Sequence, residues 1–362
     1  MRNAPFRLEA RREPSRAMLY ATPFLAFLLT LLAGIVLFWV LGKDPVRALG
    51  LIFVTPLTSL RGIAELLVKS TPLILIATGL AFGFRAGIWN IGAEGQFTLG
   101  AIAGGSVALY FHPGGGPLLL PAMMIAGVLG GIAWAAIPAF LRTHFNANEI
   151  LTSLMLVYVA LLLLGLMVQG PLRDPQSFNF PESKLFQPAA MLPELIPNTR
   201  AHIGFLVALA VVAVAHVLLS RHIFGFMTRV LGEAPRAAVF AGFSEKRLVW
   251  QTFAISGGLA GLAGLFEAAG PVGQLVQQLP SGYGFSAIIV AFLGRLQPLG
   301  ILAAGLLLGL TYIGGETAQI AMSLPSATTS VFQGMLLFFL LASDVLVDYR
   351  PRFGRRIVAG GA

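Results

Sequence analysis

An all-α fold, a polytopic membrane helix bundle, is predicted by three features of the sequence. The chain is 57% hydrophobic and only 11% charged, against about 25% charged in soluble domains. Apolar runs approaching the roughly 20 residues needed to cross a bilayer recur along its length. Lys and Arg collect on alternate connections, the bias that sets the orientation of a membrane protein.

Residues 1–16 form a basic arm carrying Arg2, Arg7, Arg11, Arg12 and Arg16. The apolar run from Ala17 to Leu41 is longer than the roughly 7–15 residues of a secretory h-region, and no convincing small-residue cleavage site follows it. It reads as a retained first helix, 18–41, with the N-terminus cytoplasmic. Further spans are expected over 66–83, 87–110, 118–141, 149–169, 203–220, 250–269, 284–294, 298–314 and 329–347. That makes about ten transmembrane helices, with eight to ten allowed. One or two are short or broken: 284–294 is too short for a full span, and 87–110 is interrupted at Gly92-Ala93-Glu94-Gly95.

With the N-terminus inside, seventeen of the 24 Lys and Arg lie on cytoplasmic segments and seven outside. The opposite orientation reverses the bias, so the C-terminus is cytoplasmic as well. The transmembrane domain is therefore 17–348, and 349–362 is a basic cytoplasmic tail. Connection 42–65, with Pro45 and Pro56, suits a short helix in the membrane interface. Residues 170–202 form a long external loop with six prolines, a surface segment and a candidate docking face. Residues 221–249 are the largest internal loop. The net charge of +9 follows from the cytoplasmic bias and calls for no nucleic-acid partner.

Several chemistries are excluded. Without cysteine there is no disulfide, thiolate nucleophile or cysteine metal site. The sequence has no GxxxxGK[ST] phosphate loop, no HExxH metal spacing and no GxSxG elbow. His112, His144, His202 and His222 stand alone at helix ends or in loops. His216, in an apolar helix, is either a proton relay or a hydrogen-bonded bundle residue.

Five acids lie in or near the membrane. Asp344 and Glu316 read as interfacial. Glu149, after Asn146 and Asn148, suits a helix N-terminus, where the dipole favours an acid. Glu267 follows the close-packing run Ser256–Gly264 and either lines a path or is exposed at the outer interface. Glu94 sits deepest. An acid at bilayer depth costs about 2.5–3.5 kcal/mol on insertion scales, so it faces protein or a water-filled route. Together with Asn90 and Gln96 it is a candidate path residue. Its rival role is a structural carboxylate capping backbone N–H groups of a broken helix. Asn148, Glu149 and Glu267 complete the candidate path.

The internal loop holds a distinct element. Pro235 suits the start of a short helix, and Ala234–Ala241 make about two turns of small residues before Gly242. Basic flanks and a compact surface suit docking into a partner's groove.

Several stretches resemble the permease subunits of bacterial ABC importers for simple sugars, nucleosides and branched-chain amino acids. FRAGIWNIGAEGQ (84–96) is similar to the sugar and nucleoside members. NANEILTSLMLVYVAL (146–161) resembles the longer of two paired permeases, and GPLRDPQSFNFP (170–181) its external loop. GEAPRAAVFAG (232–242) is similar to the loop that contacts the ATPase, SGGLAGLAG (256–264) to the helix after it, and GFSAIIVAFLGRLQPLG (284–300) is family-like. The resemblance spans about 60–345. One departure is Val157, where the family pattern has Asn; it implies either altered specificity or a packing change.

The resemblance implies a translocation path for a small polar solute, most naturally a nucleoside or simple sugar, in the bacterial inner membrane. It implies a lipid-anchored or periplasmic substrate-binding protein, a second and non-identical permease, and a cytoplasmic ATP-binding subunit. ATP and Mg would sit on that subunit, leaving no cofactor here and no enzymatic role. Coupling would run through Gly232, Glu233, Pro235, Arg236, Ala237, Ala238 and Gly242. The competing class is an ion-coupled secondary transporter using Glu94 or Glu267; a membrane-embedded enzyme has no support beyond the buried acid.

Overall fold

The computed structural model describes residues 6–11, 15–178, 180–325 and 327–353. Among them, eight helices are long and apolar enough to cross a membrane. Each of the ten expected segments contains a helix, and the two that miss the criteria are the interrupted third and the short eighth. The chain divides into two compact units, one formed by 1–50 and 318–362, the other by 51–317.

In the first unit, helix α1 (Arg16–Val40) packs against α13 (Ala327–Asp348). Ser15 caps α1, its hydroxyl accepting from Met18 N–H at 3.3 Å. Ser15 N–H in turn donates to the Val347 carbonyl at 3.0 Å. The chain ends pair as a two-stranded antiparallel sheet of β1 (Phe6–Ala10) and β2 (Tyr349–Phe353), in register Leu8 opposite Pro351. This strand pair was not expected. Outward positions of α1 such as Phe24 and Trp39 are exposed apolar groups, as a lipid-facing helix requires. The division falls within α2 (Pro45–Phe53), the expected short helix, started by Asp44, whose Oδ1 accepts from Val46 N–H at 2.9 Å.

The second unit contains α3 (Leu60–Arg85), α4 (Ala93–Tyr110), α5 (Leu119–Phe145), α6 (Glu149–Gln169), α7 (Gly204–Arg221), α8 (Ile223–Glu233), α9 (Pro235–Phe240), α10 (Glu245–Glu267), α11 (Tyr283–Leu293) and most of α12 (Pro298–Met322). Among the eight long spans α3 and α10 are the most buried, and α10 packs on α3, α4 and α5. Small residues permit that packing: a Cβ on Gly100 would strike Gly261, and one on Gly264 would strike the Phe97 carbonyl. The run Ser256–Gly264 is thus a seam of close backbone approach, as its composition predicts.

One expectation needs correction and another gains detail. The third span does not run helically from 87; residues 86–92 are irregular, with Gly87 at φ +70°, and the helix begins at Ala93. The loop at 170–202, a surface segment by sequence, is also bonded to the bundle through its backbone. Its Ser183, Phe186 and Leu192 N–H groups donate to the carbonyls of Leu275, Gly273 and Ala269 at 2.9, 2.8 and 2.9 Å. This fastens the loop over the π-turn Ala268–Val272 and the stretch before α11.

Candidate functional site

Irregular backbone inside a bundle survives only where protein satisfies its polar groups. Residues 88–92 meet that demand with side chains. Trp89 N–H donates to Glu149 Oε1 at 3.4 Å, and Ile91 N–H to Ser153 Oγ at 3.2 Å. Asn90 closes a local turn, its Oδ1 accepting from Gly92 N–H at 3.0 Å. The Asn90 and Gln96 amides pair reciprocally at 2.8 and 3.1 Å, and Asn90 Nδ2 also reaches Ser256 Oγ on α10 at 2.9 Å. Both amides are buried.

Glu94, 2% exposed, is the second residue of α4. Its Oε1 accepts from Gly282 N–H at 2.7 Å and its Oε2 from Gly284 N–H at 2.5 Å. Gly282, at φ +82°, precedes α11 and supplies no side-chain cap. Glu94 therefore caps a helix on another segment, placing carboxyl oxygens where N–H groups that lack intrahelical partners and the positive dipole end meet. A Cβ on Gly284 would collide with the Glu94 backbone, so the glycine is needed for the approach. At its other end, α11 stacks Phe292 on Phe84 and Trp89, with centroids 5.3 and 5.8 Å apart. The irregular stretch thus runs along α11, tied at both ends.

A second cluster lies toward the end of the bundle expected to face outward. Glu267, 6% exposed, accepts from the Tyr283 hydroxyl at 3.4 Å. Lys69 Nζ lies 5.7 Å from the Tyr283 ring centroid and 3.7 Å from Glu316 Oε1. Tyr283 packs on Tyr312 at 5.7 Å, and the Tyr312 hydroxyl shares a 2.8 Å hydrogen bond with Ser286 Oγ. Nearby, Arg200 forms a bidentate pair with Glu65 at 2.8 and 2.7 Å. That hydrogen bonding, stronger than the opposing desolvation, holds the guanidinium pKa above its ordinary value. The sequence reading singled out Glu267 and Glu316 here but missed Tyr283, Tyr312 and Lys69. Lys69 carried a usable signal, a cation inside an apolar helix, yet was counted only as an external charge.

Asn148 and Glu149 belong to neither group of path candidates. Asn148 Oδ1 caps α6, accepting from Ile150 and Leu151 N–H at 2.9 and 3.3 Å. Glu149 pairs with Arg142, which also reaches Glu245 Oε1 at 3.2 Å. The six candidates thus occupy three places: the Asn90–Glu94–Gln96 knot, the Glu267 cluster and the start of α6.

The coupling candidates form a folded element. Pro235 opens α9 at a position that needs no N–H donor, and Gly242 at φ +81° follows its end. Glu233, Pro235, Arg236 and Ala237 are exposed. Ala238 instead joins a core with Ala86, Ile88, Leu248 and Phe253, so it anchors the element rather than presenting it. Gly232 lies so close to the Arg85 carbonyl that a Cβ would clash, pinning α8 to the end of α3. The sequence reading missed Val239 and Phe240, which stand 62% and 92% exposed beside the anchor.

Residues 62–341 match the family described as the permease component of branched-chain amino acid transport systems. The chain is 37% identical over 358 residues to the glucose ABC transporter permease protein TsgB13 of Haloferax volcanii, across 96% of this chain and 94% of that protein. It is 29% identical to the guanosine ABC transporter permease protein NupP of Bacillus subtilis, across 89% and 92%. The nucleoside ABC transporter permease protein NupB of Lactococcus lactis is 28% identical, across 91% and 93%. No solved structure matches. With most of its length inside that family and likeness to named ABC permeases along nearly all of the rest, the chain belongs to the branched-chain amino acid transport permease family, as a membrane-spanning subunit of an ABC importer.

Proposed function

We propose that the imported solute is a nucleoside or a simple sugar, and that the protein works in a bacterial inner membrane. The observation that carries this reading is the near full-length likeness to permeases named for glucose, guanosine and nucleosides. Hydroxyl, amide and carboxylate groups without a dominant charge suit a neutral, hydroxyl-rich solute, which must be bound without strong retention.

In this reading a periplasmic or lipid-anchored binding protein delivers the solute to the outer end. The path passes the Glu267 cluster and then the knot of Asn90, Glu94 and Gln96, with Asn148 and Glu149 at its inner mouth. A second, non-identical permease forms the facing wall. A cytoplasmic ATP-binding subunit holds ATP and Mg and docks on Gly232–Gly242, with Arg236, Ala237, Val239 and Phe240 outward and Ala238 as the anchor. Its closure switches the permease between two packings of similar energy. Because Glu94 ties α4 to α11, the two helices move as a pair.

The test is uptake of radiolabelled guanosine and glucose by proteoliposomes holding the complete transporter. Uptake of one of them that requires ATP and the ATPase is expected. Accumulation driven by an ion gradient without the ATPase would restore the ion-coupled mechanism through Glu94 or Glu267.

A further inference from the structure

The two carboxylates that are buried among the described residues, Glu94 and Glu267, are satisfied very differently. Glu94 receives two hydrogen bonds of 2.7 Å or less from backbone N–H groups, one to each oxygen. Glu267, 6% exposed, receives a single bond of 3.4 Å from a hydroxyl. An ionised carboxylate has about four acceptor positions, and buried polar groups in folded proteins are ordinarily well paired. Packing therefore accounts for Glu94 and leaves most of the acceptor capacity of Glu267 unused.

The groups around Glu267 have the character of a binding site. Tyr283 and Tyr312 add aromatic surface that ends in hydroxyls, and Lys69 adds a donor 3.7 Å from Glu316. Four helices contribute: α3, α10, α11 and α12. The cluster is graded in exposure. Tyr283 is fully buried at one end, and the Glu316 side chain is 57% exposed at the other. A solute arriving from the Glu316 side would meet the Glu267 oxygens at the buried limit. The cluster carries both signs of charge, Glu267 and Glu316 with Lys69, which disfavours a solute of either charge.

We infer that Glu267, Tyr283, Tyr312 and Lys69 form a solute subsite of the permease itself, in which Glu267 accepts a hydrogen bond from a ribose or pyranose hydroxyl. This rests on the proposed solute class. The subsite gives the permease its own discrimination, separate from that of the binding protein. A site built to pair a hydroxyl rejects the analogue lacking it, because its own polar group is then left unpaired.

The experiment compares uptake of guanosine with 2′- and 3′-deoxyguanosine, and of glucose with its monodeoxy analogues, by the complete transporter in proteoliposomes. Wild type, Glu267→Gln and Tyr283→Phe are each assembled with the same binding protein, whose own preference cancels when ratios are compared. At least one hydroxyl/deoxy uptake ratio should fall about fivefold or more in Glu267→Gln, and less in Tyr283→Phe. Ratios unchanged in both variants overturn the subsite and leave the proposed function standing. Failure of wild type to take up either solute overturns the solute class and the subsite together. Copurification with the ATPase reports assembly. If Glu267→Gln does not assemble, Tyr283→Phe, which removes only a hydroxyl, decides through its own ratio. If neither assembles, the cluster serves packing and the inference is wrong.

Discussion

At the scale of single residues, two buried acids that look alike in sequence are hydrogen-bonded very differently. Glu94 is read correctly from sequence as an acid too deep to face lipid. Its partners are not readable, because Gly282 lies 188 residues downstream and offers only a backbone N–H. Replacing Glu94 by Ala leaves two N–H groups at the start of α11 without acceptors, at a cost of about 1–3 kcal/mol each. Glu94→Ala should therefore lower the unfolding temperature of the purified protein in detergent clearly. Glu267→Gln should leave it within a degree or two, since it gives up one long bond. Scanning fluorimetry of both variants checks the contrast, and equal destabilisation would contradict it. Val157, the residue departing from the family pattern, is buried, and its Cα lies beside Gly95. Its contact is packing against the start of α4.

At the scale of elements, α9 was legible because Pro235 and Gly242 bracket it with backbone chemistry that needs no tertiary information. Which alanine faces inward was not legible, since Ala237 and Ala238 are chemically identical and α9 is under two turns long. The structure separates them. Ala237→Asp should reduce ATP-driven uptake several-fold while the protein still assembles. Ala238→Asp places a charge in the core beside Ile88 and Phe253 and should abolish stable expression. Phe240→Ala should behave like Ala237→Asp, because the ring is almost wholly exposed and contributes little to folding. Uptake and copurification with the ATPase distinguish these outcomes.

The segment entering α7 yields a pH prediction. His202 Nδ1 accepts from Gly204 N–H at 3.2 Å, and burial pushes the imidazole pKa down to about 4. An unfolded histidine titrates near pH 6.5, so the unfolded state binds the extra proton first as pH falls. Stability should drop between about pH 6.5 and 4, by about 2.5 kcal/mol at pH 4.5 from this residue. His202→Asn keeps an acceptor without the titration, and its unfolding temperature should depend less steeply on pH in that window.

At the scale of the whole molecule, the positions and order of the long apolar helices were legible because the bilayer imposes length and apolarity on each span independently. The pairing of β1 with β2 and the fastening of the loop at 170–202 were not, since both join segments far apart in sequence. Sidedness is argued from charge alone, and it can be tested with one helix. Between the loop at 170–202 and the proposed coupling element lie α7 and the short α8; only α7 is long and apolar enough to cross, its 18 residues extending about 27 Å, close to the hydrocarbon thickness. The two segments must then lie on opposite faces, and the arginine bias puts the coupling element inside. Because the chain has no cysteine, single cysteines at Lys184 and Phe240, both exposed, report position without background from this subunit. A membrane-impermeant maleimide applied to intact cells should label Lys184→Cys and spare Phe240→Cys. Inside-out vesicles should show the reverse. Labelling of both from one side would mean that α7 does not cross, and the assignment of α9 as the ATPase contact would fall with it.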